Sequence, residues 1–236
     1  MQIDSASDQF VRVLDRERSA PNFDRVAWVY RWMEYFSFGP FLWWSRAAYL
    51  SQLEHCKRAL VLGDGDGRFT ARLMRLNSEI EVEAVDVSGI MIDLLRKNVA
   101  INSDRLTTHV ADLRTWKPVA SARYDLIVTH FFLDCLAKDE VAALVAAIKP
   151  ALERDAVWAV SEFAVPETPF GRLVARPVVA MLYWAFGWLT GMRIKFLPDH
   201  QEVLTAAGWS LRAQRGWLKG LLMSQLWQFD SGKQFV

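Results

Sequence analysis

A chain of 236 residues can bury a full core, and it fits one large α/β domain with appendages better than two ordinary domains. Its 28 basic and 27 acidic side chains leave a formal charge of +1, so no electrostatic footprint for a nucleic-acid backbone exists and no nucleic-acid partner is expected. Cys56 and Cys135 sit in apolar stretches without C-x-x-C spacing, which suggests neither a disulfide framework nor a metal site.

The opening MQIDSASDQF has acidic and polar residues where a secretory leader has a basic start and an apolar run, so a cytoplasmic address is expected. Residues 1–57 read as a helical N-terminal extension of the same domain. Trp28, Trp32 and Phe36 recur at helical spacing there, and Trp43, Trp44 and Tyr49 follow after Gly39-Pro40. At Arg58 the pattern changes to a main domain over 58–236. ALVLG is a short apolar strand, and FTARLMRL has helix periodicity. EVEAVDV, LTTHVAD, YDLIVTHFF and AVWAVSEF read as four more strands, separated by the helical runs GIMIDLLRKNVAI and EVAALVAAIKPAL.

An insertion over about 163–198 follows the fifth strand. It is rich in Phe170, Met181, Tyr183, Trp184, Phe186 and Trp188, and Pro166, Pro169 and Pro177 argue against one long helix. Its uncharged stretch from Pro177 to Met192 is too short for a standard spanning helix. The segment fits a roof over an apolar pocket, a contribution to the core, or peripheral membrane contact flanked by Arg176, Arg193 and Lys195. GWSLRAQRGWLKGLLMSQLWQF closes the chain as two strands and a turn. The fold expected is a doubly wound α/β sheet of seven strands, mostly parallel, with a C-terminal antiparallel hairpin.

Chemistry concentrates at strand ends. In ALVLGDGDGRF, Gly63, Gly65 and Gly67 let the backbone turn sharply and approach a ligand without a Cβ in the way. The third glycine falls one residue too early for the dinucleotide G-x-G-x-x-G. Asp64 and Asp66, inside the turn, would repel a pyrophosphate and suit an ammonium or sulfonium. Asp86 ends the second strand, where a carboxylate can accept both hydroxyls of a ribose; Ser88 is placed to cap the next helix instead. Asp112 follows the third strand, and Thr129-His130-Phe131-Phe132-Leu133-Asp134 follows the fourth. His130 reads as a base or as a polar residue lining the site.

The set VLGDGDG, AVDVS, VADL and YDLIVTHFFLD, in this order, resembles motifs I to IV of class I S-adenosylmethionine-dependent methyltransferases over roughly residues 58–163. The resemblance implies S-adenosylmethionine as cofactor. Gly63, Asp64, Gly65 and Gly67 would then pass its methionine part, Asp86 with Val87 and Ser88 would hold the ribose, and Asp112 with Leu113 would meet the adenine, beside His130. The family usually has an acidic residue two positions before the first glycine, where this chain has Val61; Asp64 is the residue placed to replace it.

The C-terminal layout looks loosely similar to quinone-biosynthesis C-methyltransferases, which points to a small, apolar or aromatic acceptor. Methyl transfer needs alignment more than a base. If a base is used, His130, Asp134, Glu162, Tyr183 and His200 are candidates. The alternatives are an aminopropyl transferase of the polyamine-synthase type, which also carries G-D-G, and a non-catalytic S-adenosylmethionine-binding module. Monomer and homodimer are equally compatible with the exposed aromatics.

Overall fold

The computed structural model describes residues 38–182 and 199–230. In chain order these hold α1 (Pro40–Arg46), β1 (Arg58–Leu62), α2 (Arg68–Leu76), β2 (Glu81–Asp86), α3 (Gly89–Val99), β3 (Leu106–Val110), β4 (Tyr124–His130), α4 (Lys138–Ile148), β5 (Leu152–Phe163), a helix α5 over 169–182, α6 (His200–Ala206), β6 (Trp209–Trp217) and β7 (Leu222–Phe229). The seven strands form one sheet in the order β3-β2-β1-β4-β5-β7-β6. The first five run parallel, and β7 pairs antiparallel with both β5 and β6. The expected doubly wound architecture is therefore what the chain adopts.

The central strands are continuous apolar runs because both their faces are covered. Alternate residues of β1 and β4 face opposite layers. Leu60, Leu62 and Ile127 pack with Val141, Leu144 and Ile148 of α4 and Leu204 of α6. Ala59, Val61, Leu126 and Val128 pack with Phe69 and Leu73 of α2 and Leu95 and Val99 of α3. Val61 is 1% exposed inside this second layer, so the acidic residue usual at that position would have to be buried between sheet and helices.

Local chemistry fixes the helix starts. Ser88 Oγ accepts the Met91 N–H at 3.3 Å and caps α3, and Asp199 Oδ1 accepts the Glu202 N–H at 3.0 Å and caps α6. The β6–β7 connection is as tight as the sequence suggests, with Leu218, Lys219 and Gly220 all at positive φ.

Of the N-terminal extension, α1 and a 3₁₀ turn at Leu50–Leu53 are described; Trp28, Trp32 and Phe36 lie outside the described residues. The Ser45 carbonyl at the end of α1 accepts the Ser161 and Ser224 hydroxyls at 3.0 and 2.7 Å, which ties α1 to β5 and β7. Cys56 is buried, and its thiol pKa is pushed up to about 12 chiefly by that burial; Cys135 is half-buried, less enclosed than its apolar sequence context implies.

The insertion departs from expectation in one respect. Helix continues from 169 to 182 straight through Pro177. The preceding turn, Gly171–Ala175, is a π-helix in which the Arg176 N–H reaches back to the Gly171 carbonyl. Proline lacks an N–H and its ring collides with the carbonyl four residues back, and a widened turn just before it relieves that conflict. Pro169 stands at the helix start, where its missing N–H costs nothing. Ala175 and Val179 pack against Leu221, Phe163, Val165 and Phe38, so this helix rests on the end of β5 and the start of β7. Met181 is 61% exposed on the opposite side. Tyr183, Trp184, Phe186, Trp188, Arg193 and Lys195 lie outside the described residues.

Candidate functional site at the carboxyl edge of the sheet

Strand order reverses between β1 and β4, and in open α/β sheets ligands bind in the crevice at such a switch point, outside the carboxyl ends of the strands. The register puts the tips together. Leu62 pairs with Val85 and Thr129, Asp86 with Val110, and His130 with Ser161. The Gly63 N–H, just past β1, still bonds the Val85 carbonyl at 3.0 Å.

The three glycines of the turn have positive φ of 66°, 62° and 76°, a region costly for side chains with a Cβ. Their surroundings differ. A Cβ on Gly63 would lie 2.5 Å from the Phe132 ring, and one on Gly67 would lie 2.7 Å from the Leu95 Cα, so these two glycines admit protein neighbours. A Cβ on Gly65 would meet nothing within 4 Å among the described residues. Of the three, Gly65 is the one left open by the described residues.

Asp64 does not stand in that space. It is 6% exposed, and its Oδ2 accepts the Thr70 N–H at 3.0 Å and the Thr70 hydroxyl at 2.7 Å. Burial pushes its pKa up to about 6, with the Thr70 bonds and the Arg46 charge pulling the other way. The idea that Asp64 replaces the usual acidic residue in the cleft is thus corrected: it closes the start of α2. Asp66 pairs with Arg68 at 2.9 Å.

At the tip of β2, Asp86 Oδ1 accepts the Ser88 N–H at 2.9 Å, while Ser88 itself does the capping and Val87 is half-buried between them. After β3, Asp112 is held by Arg114 in a two-pronged ion pair, Nη2 to Oδ2 at 2.7 Å and Nε to Oδ1 at 3.0 Å. The Arg114 side chain holds the Asp112 carboxyl below its ordinary range. Leu113 is buried in the layer under α4. The adenine partners expected there are therefore a carboxylate already paired and a core side chain.

His130 ends β4 and is 3% exposed; neither ring nitrogen has a hydrogen-bond partner among the described residues, and its edge lies on Phe69 with centroids 4.5 Å apart. Burial, and next the Arg46 charge, hold its pKa well below the ordinary imidazole range, so the ring is neutral near pH 7. Asp134 is 4% exposed, with the Cys135 thiol 3.5 Å from its Oδ1. Glu162, next to last in β5 and 1% exposed, accepts the N–H groups of Phe132 and Leu133 at Oε1. His200 lies elsewhere, on α6, its Nε2 2.9 Å from Gln225 Oε1 on β7, beyond β5 from the switch point. Tyr183 lies outside the described residues.

Two features escaped the sequence reading. Arg46 is 7% exposed, sits 5.3 Å over the Phe131 ring and acts on both Asp64 and His130; only its place in the aromatic run PFLWWSR hinted at burial. The second is an aromatic patch, with Phe163 centred 5.3 Å from Phe38 and 5.1 Å from Phe131, joined by Phe41, Trp217 and Leu218. Its members come from four separate segments, so no local pattern announces it.

Comparisons with known proteins fit this geometry. Residues 59–155 match the family model described as a methyltransferase domain. Among curated relatives, polyamine aminopropyltransferase 2 of Bacillus anthracis is 32% identical over 90 residues, covering 35% of this chain and 25% of that protein. The tRNA1(Val) (adenine(37)-N6)-methyltransferase of Citrobacter koseri is 30% identical over 76 residues, 31% of each chain. The chain thus spans 23% to 31% of the length of the curated relatives it matches. Among solved structures, an O-methyltransferase family protein from Burkholderia thailandensis superposes with a TM-score of 0.63 at 14% identity, covering 96% of this chain and 70% of the other. The N-methyltransferase NodS from Bradyrhizobium japonicum, in complex with S-adenosyl-L-homocysteine, gives 0.58 at 13% identity, over 78% and 86%. The likeness to methyltransferases is thus carried in sequence by residues 59–155 and in structure by the seven-stranded fold.

Proposed function

We propose that this protein transfers a methyl group from S-adenosylmethionine to a small, fairly apolar acceptor. The observation that carries this reading is the turn at the switch point: within the region that matches a methyltransferase domain, a Cβ on Gly65, at positive φ, would meet nothing within 4 Å among the described residues, and the Asp86 carboxylate stands on the neighbouring strand tip. A methionine tail fits along such a backbone, and a ribose fits a strand-end carboxylate. In this reading Gly63, Gly65 and Gly67 shape the passage for the methionine part, and Asp86 with Val87 and Ser88 holds the ribose. Asp112 and Leu113 border the adenine, the former after exchanging its bond to Arg114.

When bound, the cofactor would supply a methyl activated by its bond to a sulfonium, for in-line transfer to the acceptor's nucleophilic atom with the neutral thioether as leaving group. The chain's own part is to align the two and to exclude water. His130, buried and with its pKa held well below the ordinary imidazole range, is a weak base, so in this reading it lines the site rather than taking a proton. The patch of Phe38, Phe41, Phe131, Phe163 and Trp217 beside the tips of β4 and β5 supports an apolar or aromatic acceptor.

A second reading, aminopropyl transfer, is favoured by the Bacillus relative and by Gly65-Asp66-Gly67. Against it, Thr129-His130-Phe131-Phe132 lacks the acidic element carried by those enzymes after the fourth strand. The products separate the two: methyl transfer leaves S-adenosylhomocysteine, whereas aminopropyl transfer leaves methylthioadenosine. Turnover on a panel of lipophilic phenols and quinols, read by mass spectrometry, should give the former. Calorimetry should show S-adenosylmethionine binding in the micromolar range, roughly −8 kcal/mol, and little NAD binding. Tight NAD binding without S-adenosylmethionine binding would overturn the reading, and cofactor binding without turnover on any acceptor would favour a non-catalytic module.

A further inference from the structure

We infer that Glu162 is a positioning residue whose carboxylate holds the segment after β4 against the glycine turn, and so sets the shape of the cleft; the inference rests on that cleft being the S-adenosylmethionine site. The chain leaves β4 through Phe131 at φ 54°, a region sparsely populated by residues with a Cβ, which persists where the surroundings impose it. Two contacts on β5 impose it here. The Phe131 N–H bonds the Ser161 carbonyl at 2.6 Å, and the next two N–H groups, of Phe132 and Leu133, converge on Glu162 Oε1 at 3.1 and 2.8 Å. Consecutive amides turned to one side form a concavity for an acceptor, and here the acceptor is a side-chain carboxyl oxygen of the neighbouring strand.

Rigidity on both sides makes this a linkage. Ser161 and Glu162 are held in the sheet by pairing with Ser224 and Met223 of β7. On the loop side, the Cys135 N–H bonds the Phe132 carbonyl at 3.0 Å and the Leu136 N–H bonds the Leu133 carbonyl at 3.1 Å. The outcome is the placement of Phe132, whose ring occupies the space where a Gly63 Cβ would be, with Cδ2 2.5 Å from that point. The path therefore runs from Glu162 through two amides and Phe132 to the first glycine of the turn. Among the described residues these two amides have no other acceptor.

Burying a carboxylate is costly, and more so beside a second one, Asp134. Burial first, and then Asp134, push the Glu162 pKa well above its ordinary value, while the loop amides pull it back. An apolar side chain would fill the same volume without that cost, but would leave a buried and a half-buried amide without acceptors.

The test compares Glu162→Gln, which keeps a carbonyl oxygen for the amides, with Glu162→Ala, which removes it. Hydrogen exchange should show the Phe132 and Leu133 amides exchanging at least tenfold faster in the alanine variant. The glutamine variant should stay within about threefold of wild type, and β1 and β2 should be unchanged in both. Calorimetry with S-adenosylhomocysteine should give at least tenfold weaker binding for alanine and less than threefold for glutamine. In a Phe132→Ala background the further loss from Glu162→Ala should fall below threefold, because residues acting through one another are not additive.

Unchanged exchange at 132 and 133 in the alanine variant would overturn the inference, as would an equal affinity loss in both backgrounds. If Glu162→Ala does not fold, Glu162→Asp, which withdraws the carboxylate by one methylene, is read in the same way. A wild-type protein that does not bind S-adenosylhomocysteine would overturn the reading of the cleft, and exchange would still decide whether Glu162 holds the loop.

Discussion

Asp86 stands at the tip of β2, where the proposed function assigns its carboxylate to the ribose. Ser88 supplies the side-chain cap of α3, and Asp86 Oδ1 accepts the Ser88 N–H at 2.9 Å. Asp86→Ala should weaken S-adenosylmethionine by about 1.5 to 3 kcal/mol, the scale of hydrogen bonds to a charged group, or about tenfold or more, with the melting temperature nearly kept. Parental affinity in that variant would make Asp86 a helix-start residue only. Asp64 carries the opposite expectation. Its folded pKa of about 6 lies above the ordinary 3.8, so the folded state prefers the protonated acid. Native stability therefore falls as pH rises from about 4 to about 6 and is level above that, by at most about 3 kcal/mol. Asp64→Asn cannot titrate yet keeps an oxygen for Thr70. In urea unfolding at pH 4 to 7.5 its stability relative to wild type should rise through that window; parallel curves would refute the buried placement. Asp86 was legible in the sequence because a strand end sets its position, whereas the inward turn of Asp64 and the Arg114 clamp on Asp112 depend on side-chain directions no motif encodes.

Between elements, the glycine turn divides its labour in a way that spacing alone hides. Gly67 starts α2 and lets α3 approach, since any Cβ there would press on the Leu95 backbone. Gly67→Ala combines a left-handed residue with overpacking and should cost about 2 to 5 kcal/mol, seen as a lower urea midpoint. Gly65→Ala has the φ penalty without the collision, so its stability cost should be about 1 to 2 kcal/mol. Its main effect should fall on cofactor affinity, because it fills the open side of the turn. Equal destabilisation by both variants would mean that Gly65 is a packing glycine too. The terminal hairpin was legible for a local reason, a Gly- and Lys-bearing turn between two apolar runs. Pro177 misled for a local reason as well: the rule that proline ends a helix assumes α-helical hydrogen bonding, and a π turn sets that assumption aside.

At the scale of the whole molecule, the parallel sheet could be read from the alternation of apolar runs with helical periodicity, because crossover connections leave few ways to stack five such units. The aromatic patch and the packing of α5 on β5 and β7 could not be, since they join segments far apart in the chain. The same topology bears on how a ligand would stabilise the protein. The proposed cofactor groups stand on the tips of β1, β2, β3 and β4, and these strands share one hydrogen-bonded sheet with β5, β7 and β6. A ligand bound there is linked to the core that holds the sheet together, and bound only by the folded form. At a hundred times its dissociation constant S-adenosylhomocysteine should add about 2.7 kcal/mol, which for a domain of this size is a rise of roughly 5 to 10 °C in melting temperature. NAD, whose pyrophosphate meets a turn of unsuitable spacing beside Asp66, should leave the melting temperature unchanged. The rise should shrink in Gly65→Ala and in Asp86→Ala at the same ligand concentration. A shift with NAD instead, or one equally large in both variants, would place the ligand somewhere other than the β1–β4 switch point.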